Sequence, residues 1–224
     1  MIDEIKTVAR RHLATDGANL SLRAVARDMG MVSSALYRYF PSRDDLLTAL
    51  ILDAYNALGD AVLAADATVA DRTRLRTRWL AAGHAVRDWA LTNPAEYALI
   101  YGSPVPGYAA PRDTVVAASR TPEVLLRILA DGRAAGALPA EPEVRLAARA
   151  AARPSAQLRA ELAAARDAIA PDLPDYLFLV AVTSWVQLFG VVSFELFGQF
   201  NNVIDARADF FTEQLELMAD LMGL

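Results

Sequence analysis

Between Ser21 and Phe40 the sequence SLRAVARDMGMVSSALYRYF sets hydroxyl, aromatic and guanidinium side chains at spacings that gather them on one side of a short helix. In the run after Gly30, Leu36 and Phe40 share a face by i, i+4 spacing. Burying that face leaves Ser33, Ser34, Tyr37, Arg38 and Tyr39 available to solvent or to a ligand. Hydroxyls, tyrosines and arginine are the types that meet phosphate oxygens and base edges, so the chemistry indicated is contact with a polyanion.

Two short helices hinged at Gly30 position that set. In the first, Leu22, Val25, Ala26 and Met29 recur at helical spacing, while Arg23, Arg27 and Asp28 fall on the other side. Gly30 stands where a sharp turn needs a residue that tolerates positive φ, and Ser33 and Ser34 open the second apolar-periodic run. Residues 2–15 read as a preceding helix with Ile5, Ala9 and Leu13 on one stripe. Lys6, Arg10 and Arg11 lie off that stripe, either as solvated charge or as contacts to a nucleic-acid backbone. Pro41 and Ser42 start a long helix, with Ser42 as N-cap and Asp44 and Asp45 in the first turn, where the macrodipole favours acid. It is expected to run to about Ala65 and to span roughly 35 Å.

The stretch GMVSSALYRYFPSRDDLL resembles the signature of the TetR (tetracycline-repressor) family of bacterial transcriptional regulators. Glycine turn, Leu-Tyr-x-Tyr-Phe run, Pro-Ser-Arg corner and apolar Leu46-Leu47 occur together and in order, over about the first fifty residues. The resemblance implies that the second helix enters the major groove while flanking helices fix it against phosphates. Carried over residue by residue, it places Ser33, Ser34 and Tyr37 at the groove or its walls, with Tyr39 beside them. Arg38 and Arg43 then meet phosphates or bases, and Ser21 and Arg23 lie where the preceding helix meets the backbone. The sequence departs from the family at Val32, where Ser or Thr most often caps the recognition helix; Ser33 is expected to cap instead.

The 224 residues can bury a proper core, and 54% apolar against 22% charged residues leaves apolar surface for a partner chain. Without cysteine there are no disulfides or thiolate metal sites, and two histidines do not suggest zinc. No metal or cofactor is implied. Asp3 and Glu4 near the N-terminus, with no signal-type apolar core, point to the cytoplasm. Net charge is −5, yet residues 1–50 carry seven basic against six acidic side chains, so the acidity lies in the remainder. A few arginines can meet phosphates locally, with salt-sensitive binding.

Further on, a helix is expected from Asp71 to Thr92 with Leu75, Trp79, Ala82, Val86 and Trp89 as a core seam. Asn93-Pro94 restarts a short helix that Gly102 and the following prolines end. A helix over about 113–135, with Val116, Leu125, Ile128 and Leu129 apolar, precedes a break at 136–142. Residues 143–169, alanine- and arginine-rich and interrupted by Pro154, read as two short helices. Tyr176 to Phe194 is a nineteen-residue run without charge, long enough for a membrane span. Its acidic flanks and the internal Thr183, Ser184, Gln187 and Ser193 favour instead a helix buried on two sides, against its own domain and a second subunit. The last helix, 205–222, offers a companion face. Val186, Gly190, Ser193, Phe194, Phe211, Leu215 and Met218 are the expected homodimer contacts, in a four-helix interface.

This half also resembles the TetR subgroup with a WHG-type ligand-binding domain, through Trp185, Gly190 and the following Val-Ser-Phe-Glu-Leu-Phe-Gly, with Phe189 where that pattern has histidine. The resemblance implies a pocket for a small-molecule effector, for which Trp79, His84, Trp89, Tyr97, Tyr101, Phe178, Trp185 and Phe189 are candidates; ordinary core packing is the alternative for each. No nucleophile elbow, phosphate loop or paired-carboxylate spacing is present. The expectation is an all-α TetR-type regulator with a helix-turn-helix domain over 1–48 and a helical effector and dimerisation domain over 49–224. It would bind a palindromic double-stranded operator as a homodimer and be released by a small apolar or amphipathic effector, without membrane partners. A helical protein-interaction module, and behind it an all-helical enzyme, are the other readings.

Overall fold

The computed structural model describes residues 1–16, 20–138 and 154–224, and among these it holds ten helices and no strand. They are α1 (Ile2–Asp16), α2 (Leu22–Asp28), α3 (Ser33–Leu36), α4 (Arg43–Ala67), α5 (Leu75–Thr92), α6 (Pro94–Tyr101), α7 (Thr114–Ala134), α8 (Ala156–Ile169), α9 (Asp175–Leu196) and α10 (Arg207–Met222). Packing divides the chain into two units, Met1–Gly59 with Trp89–Arg120, and Asp60–Asp88 with Thr121–Leu224. Residues 1–48, the expected DNA-binding domain, lie wholly within the first, together with 49–59 and 89–120.

The first unit forms because the apolar stripes of four short elements close on one another. Ile5, Val8, Ala9 and Leu13 of α1 meet Leu22, Val25 and Ala26 of α2, Leu36 and Phe40 around α3, and Leu46, Leu47 and Leu50 of α4, all buried. Each such leucine stabilises by roughly 2 kcal/mol relative to exposure. Gly30 makes the turn at φ +68°, and the Met31 N–H donates to the Ala26 carbonyl at 2.9 Å, ending α2. At the start of α4 the Asp45 N–H donates to Ser42 Oγ (3.1 Å) while Asp45 Oδ2 accepts from the Ser42 N–H (2.9 Å), a reciprocal cap.

The second unit centres on α5, α9 and α10. Helix α5 begins at Leu75, four residues later than expected, because Asp71 accepts from the Thr73 N–H (3.0 Å) and hydroxyl (2.6 Å) and holds a turn there. At Gly83 a Cβ would lie 2.4 Å from Leu215 Cδ2, so any larger residue there would force the buried Leu215 side chain of α10 to move. The indole N–H of Trp79 donates to the Leu215 carbonyl at 2.9 Å across the same contact. In α7, Leu125, Ile128 and Leu129 are buried as expected, but Val116 is 74% exposed and faces solvent. Of the two short helices expected over 143–169, α8 is the second; the first lies outside the described residues. Helices α4 and α9 are long and apolar enough to cross a membrane, but 44% and 50% of their most apolar windows are buried inside the protein. In α9, Leu177, Phe178, Leu188 and Val192 are among the core residues that account for the uncharged run.

Candidate functional site

The segment after Gly30 presents its polar side chains outward because Leu36 and Phe40 are drawn into the core beneath it. Helix α3 is only one turn long, continued by turn bonds from the Tyr39 and Phe40 N–H groups to the Leu36 carbonyl at 2.9 and 3.1 Å. Ser34, Tyr37, Arg38 and Tyr39 are exposed and Ser33 is half-buried. Val32, not Ser33, holds the N-cap position, with extended backbone and no side-chain capping bond; Ser33 is already helical and so cannot cap as expected. Ser21 caps α2 by accepting from the Ala24 N–H at 3.4 Å, and Arg23 is exposed on the same helix. Arg43 is less available than the sequence suggests, since its Nε donates to the Leu20 carbonyl at 3.2 Å. Lys6 and Arg10 are engaged within the protein: both pair with Asp53 (2.9 and 2.7 Å), and Arg10 also approaches Glu96 at 3.9 Å. Their i, i+4 spacing on α1 was legible, but acidic partners more than forty residues away were not. Arg27, which the sequence puts on the same polar side of α2 as Arg23, is also exposed, 3.7 Å from Asp28.

The residues considered for an effector pocket fall into two sets. In the first unit, Tyr97 is buried and packs on Tyr101 (centroids 5.1 Å), which meets Tyr55 edge-on at 6.0 Å. Burial pushes the Tyr101 phenol well above its ordinary value, and burial, followed by Tyr108, also raises that of Tyr55. Trp89 is half-buried in the same unit. In the second unit, Trp79 and Phe178 are core, His84 stacks edge-on against Phe211 at 5.7 Å, and Trp185 meets Phe189 at 5.9 Å. Ser184 Oγ and Trp185 Nε1 are buried without a hydrogen-bond partner.

The expected dimer contacts also separate. Val186 (60% exposed), Gly190, Ser193 and Phe194 (54%) follow one another along α9, and a Cβ on Gly190 would meet nothing within 4 Å. Phe211, Leu215 and Met218 are instead buried inside the protomer; from α5, Gly83 and Trp79 abut Leu215, and the Arg87 guanidinium lies 5.6 Å over the Phe211 ring. The exposed large apolar residues of α10 are Leu217 and Leu221.

Two ionic constellations were missed. Arg78, fully buried, donates to Asp66 (2.8 Å) and Asp131 (2.8 Å), and Arg72 also pairs with Asp66. Burial would raise the Asp66 carboxyl, but hydrogen bonds from Arg78 and Arg72 outweigh it and hold it below its usual value. Arg87 makes a two-pronged contact with buried Glu195 at 2.8 and 2.7 Å, which raises its own pKa.

A one-turn helix closed against α1, α2 and α4 around a shared apolar core has the form of a helix-turn-helix. Two family models match: the one described as bacterial regulatory proteins, tetR family, over residues 5–50, and the one described as tetracyclin repressor-like, C-terminal domain, over 79–218. The chain belongs to the TetR family of helix-turn-helix transcriptional regulators. It is 42% identical over 208 residues to the HTH-type transcriptional regulators Rv1816 of Mycobacterium tuberculosis and Mb1846 of Mycobacterium bovis, covering 88% of this chain and 81% of each relative. The crystal structure of the regulatory protein SCO4313 aligns with a TM-score of 0.77 at 35% identity, over 98% of this chain and 95% of that one. PfmR of Thermus thermophilus shares the fold, with a TM-score of 0.59 at 18% identity, over 98% of both chains. These families and relatives are transcriptional regulators, not enzymes.

Proposed function

We propose that this chain is a cytoplasmic homodimeric repressor that binds a palindromic operator and is released by a small apolar or amphipathic effector. The observation that carries the DNA part is the exposed set Ser34, Tyr37, Arg38 and Tyr39 over the buried Leu36 and Phe40, with Ser21 and Arg23 on the neighbouring helix. Two copies set these segments into successive major grooves, about 34 Å apart. The second copy is supported by the outward stripe Val186, Gly190, Ser193, Phe194 on α9 beside Leu217 and Leu221 on α10, the two helices being joined at the surface by Gln187 and Gln214 at 2.9 Å. The effector is supported by Ser184 Oγ and Trp185 Nε1, buried polar atoms that a ligand group would satisfy. Effector binding would favour a conformation with wrongly spaced reading segments, and α4, whose residues belong to both units, would carry the change.

Gel retention of the DNA upstream of the chain's own gene tests the reading. Expected are binding that weakens between 50 and 200 mM salt by roughly tenfold or more and its loss in Tyr37→Ala or Arg38→Ala. Salt-insensitive retention, or none without effector, would sink the regulator reading in this form. Val186→Arg with Leu217→Arg should give a monomer in analytical ultracentrifugation; an intact dimer would place the interface elsewhere.

A further inference from the structure

We propose that Val32 is a specificity-determining residue that reads thymine, its isopropyl group packing on a thymine C5-methyl in the major groove. This deepens the DNA-binding reading above and rests on it. Val32 is 71% exposed on extended backbone (φ −71°, ψ 137°), immediately before the turn of helix that carries Ser34, Tyr37 and Arg38. Ser, Thr, Asp or Asn at this position would accept an orphan backbone N–H, which valine cannot do, so its side chain does nothing for the helix it precedes. Tyr37 and Tyr39 are also exposed within the same eight residues.

The rest of the segment narrows what such a surface can read. Residues 31–40 contain no Asn, Gln, Asp or Glu, so paired amide bonds to adenine and carboxylate acceptance from cytosine are not available there, which leaves single hydroxyl contacts from its serines and tyrosines. Arg38 is its one side chain able to grip guanine with two bonds. Arg23 and Arg27, exposed on α2, supply phosphate attraction, which fixes register and carries no sequence. The thymine methyl is the apolar group that the major groove offers, and Val32 is the exposed aliphatic side chain in this segment placed to meet it.

Deoxyuridine, which lacks only that methyl, tests the assignment. Random duplexes of about 30 base pairs, enough for two half-sites, are selected on the full-length protein, and the enriched duplex is resynthesised with deoxyuridine at each thymidine in turn. One position per half-site should weaken wild-type binding about fourfold, and about fifteenfold when both half-sites are changed. Val32→Ala, whose fold is checked by circular dichroism, should bind the thymidine and deoxyuridine duplexes equally at that position, while Val32→Ile keeps the discrimination. A wild type indifferent to deoxyuridine everywhere, or a Val32→Ala protein with full methyl sensitivity, overturns the proposal. Failure of the wild type to enrich any duplex overturns the DNA-binding reading itself and this inference with it.

Discussion

The two units dispose of buried charge in opposite ways. Beneath the helix-turn-helix the core is apolar throughout, and the ion pairs of Lys6 and Arg10 with Asp53 lie at the periphery. The buried charged residues among those described, Asp66, Arg78 and Glu195, all belong to the second unit, whose α9 meanwhile leaves Val186 and Phe194 outside. A reading element needs a fixed shape and solvent-facing contacts, which close apolar packing provides. Buried ion networks contribute less to net stability than to position, because their geometry tolerates few alternatives. The second unit therefore holds the joints whose single changes should be most costly.

The comparison breaks most readily at Arg78. Arg78→Met leaves Asp66 buried with one partner fewer, and should destabilise the protein by about 3–5 kcal/mol, a fall in Tm of roughly 10 °C by circular dichroism. Arg78→Met with Asp66→Leu should recover part of that loss, since the unpaired charge is gone. A single variant that melts within a degree of the wild type would show that the network behaves as surface charge. Next in size is Leu36→Ala, expected to cost about 3 kcal/mol by emptying a fully buried site under the reading segment. Here hydrogen exchange should rise first in residues 20–50, and DNA retention should fall with it, if the first unit is held by packing alone.

Acid separates the two kinds of interior more finely. The Asp66 carboxyl is held below its ordinary value in the folded protein, so its contribution is fully present above the unfolded value of about 3.9 and is lost as pH falls through the folded one. Stability should therefore drop with a steeper slope below about pH 4 in the wild type than in Asp66→Asn, measured by urea unfolding at a series of pH values. Equal slopes would mean that another carboxylate carries the acid sensitivity.

What was legible in the sequence was what is local. The stripe Leu22, Val25, Ala26, the turn at Gly30 and the Ser42–Asp45 cap each depend on residues within a few positions, and the TetR resemblance rests on the same stretch. What could not be read depends on neighbours brought together by folding. Periodicity displays an apolar face on α10 but not what covers it, and so it offered Phe211, Leu215 and Met218 to a partner when the protomer itself already buries them. Arg78 and Asp131 are fifty-three positions apart, a distance at which spacing carries no signal. The start of α5 was misplaced for the opposite reason: a local side-chain turn at Asp71 outcompeted a helical pattern that would otherwise extend through it.

The smallest effect tests whether the local devices of the first unit act locally. Ser42 and Asp45 satisfy each other's backbone N–H groups at the start of α4, and Ser42 Oγ also donates to Asp45 Oδ2 at 2.7 Å, all at exposed positions. Ser42→Ala removes the acceptor for the Asp45 N–H and should cost about 1 kcal/mol. Ser42→Gly should cost less, because glycine is tolerated at an N-cap for its backbone alone. Helix α4 continues through Ala67, where Asp66 meets Arg78, so it offers a path along which the loss would spread if nothing held its far end. The ion network should prevent that: amide exchange is expected to quicken over the first turn, residues 43–46, and to stay unchanged near Asp66. In the Arg78→Met background the same Ser42→Ala change should instead quicken exchange toward the C-terminal end of α4. Exchange that stays confined to the first turn in both backgrounds would mean that the buried ions of the second unit do nothing to hold this helix.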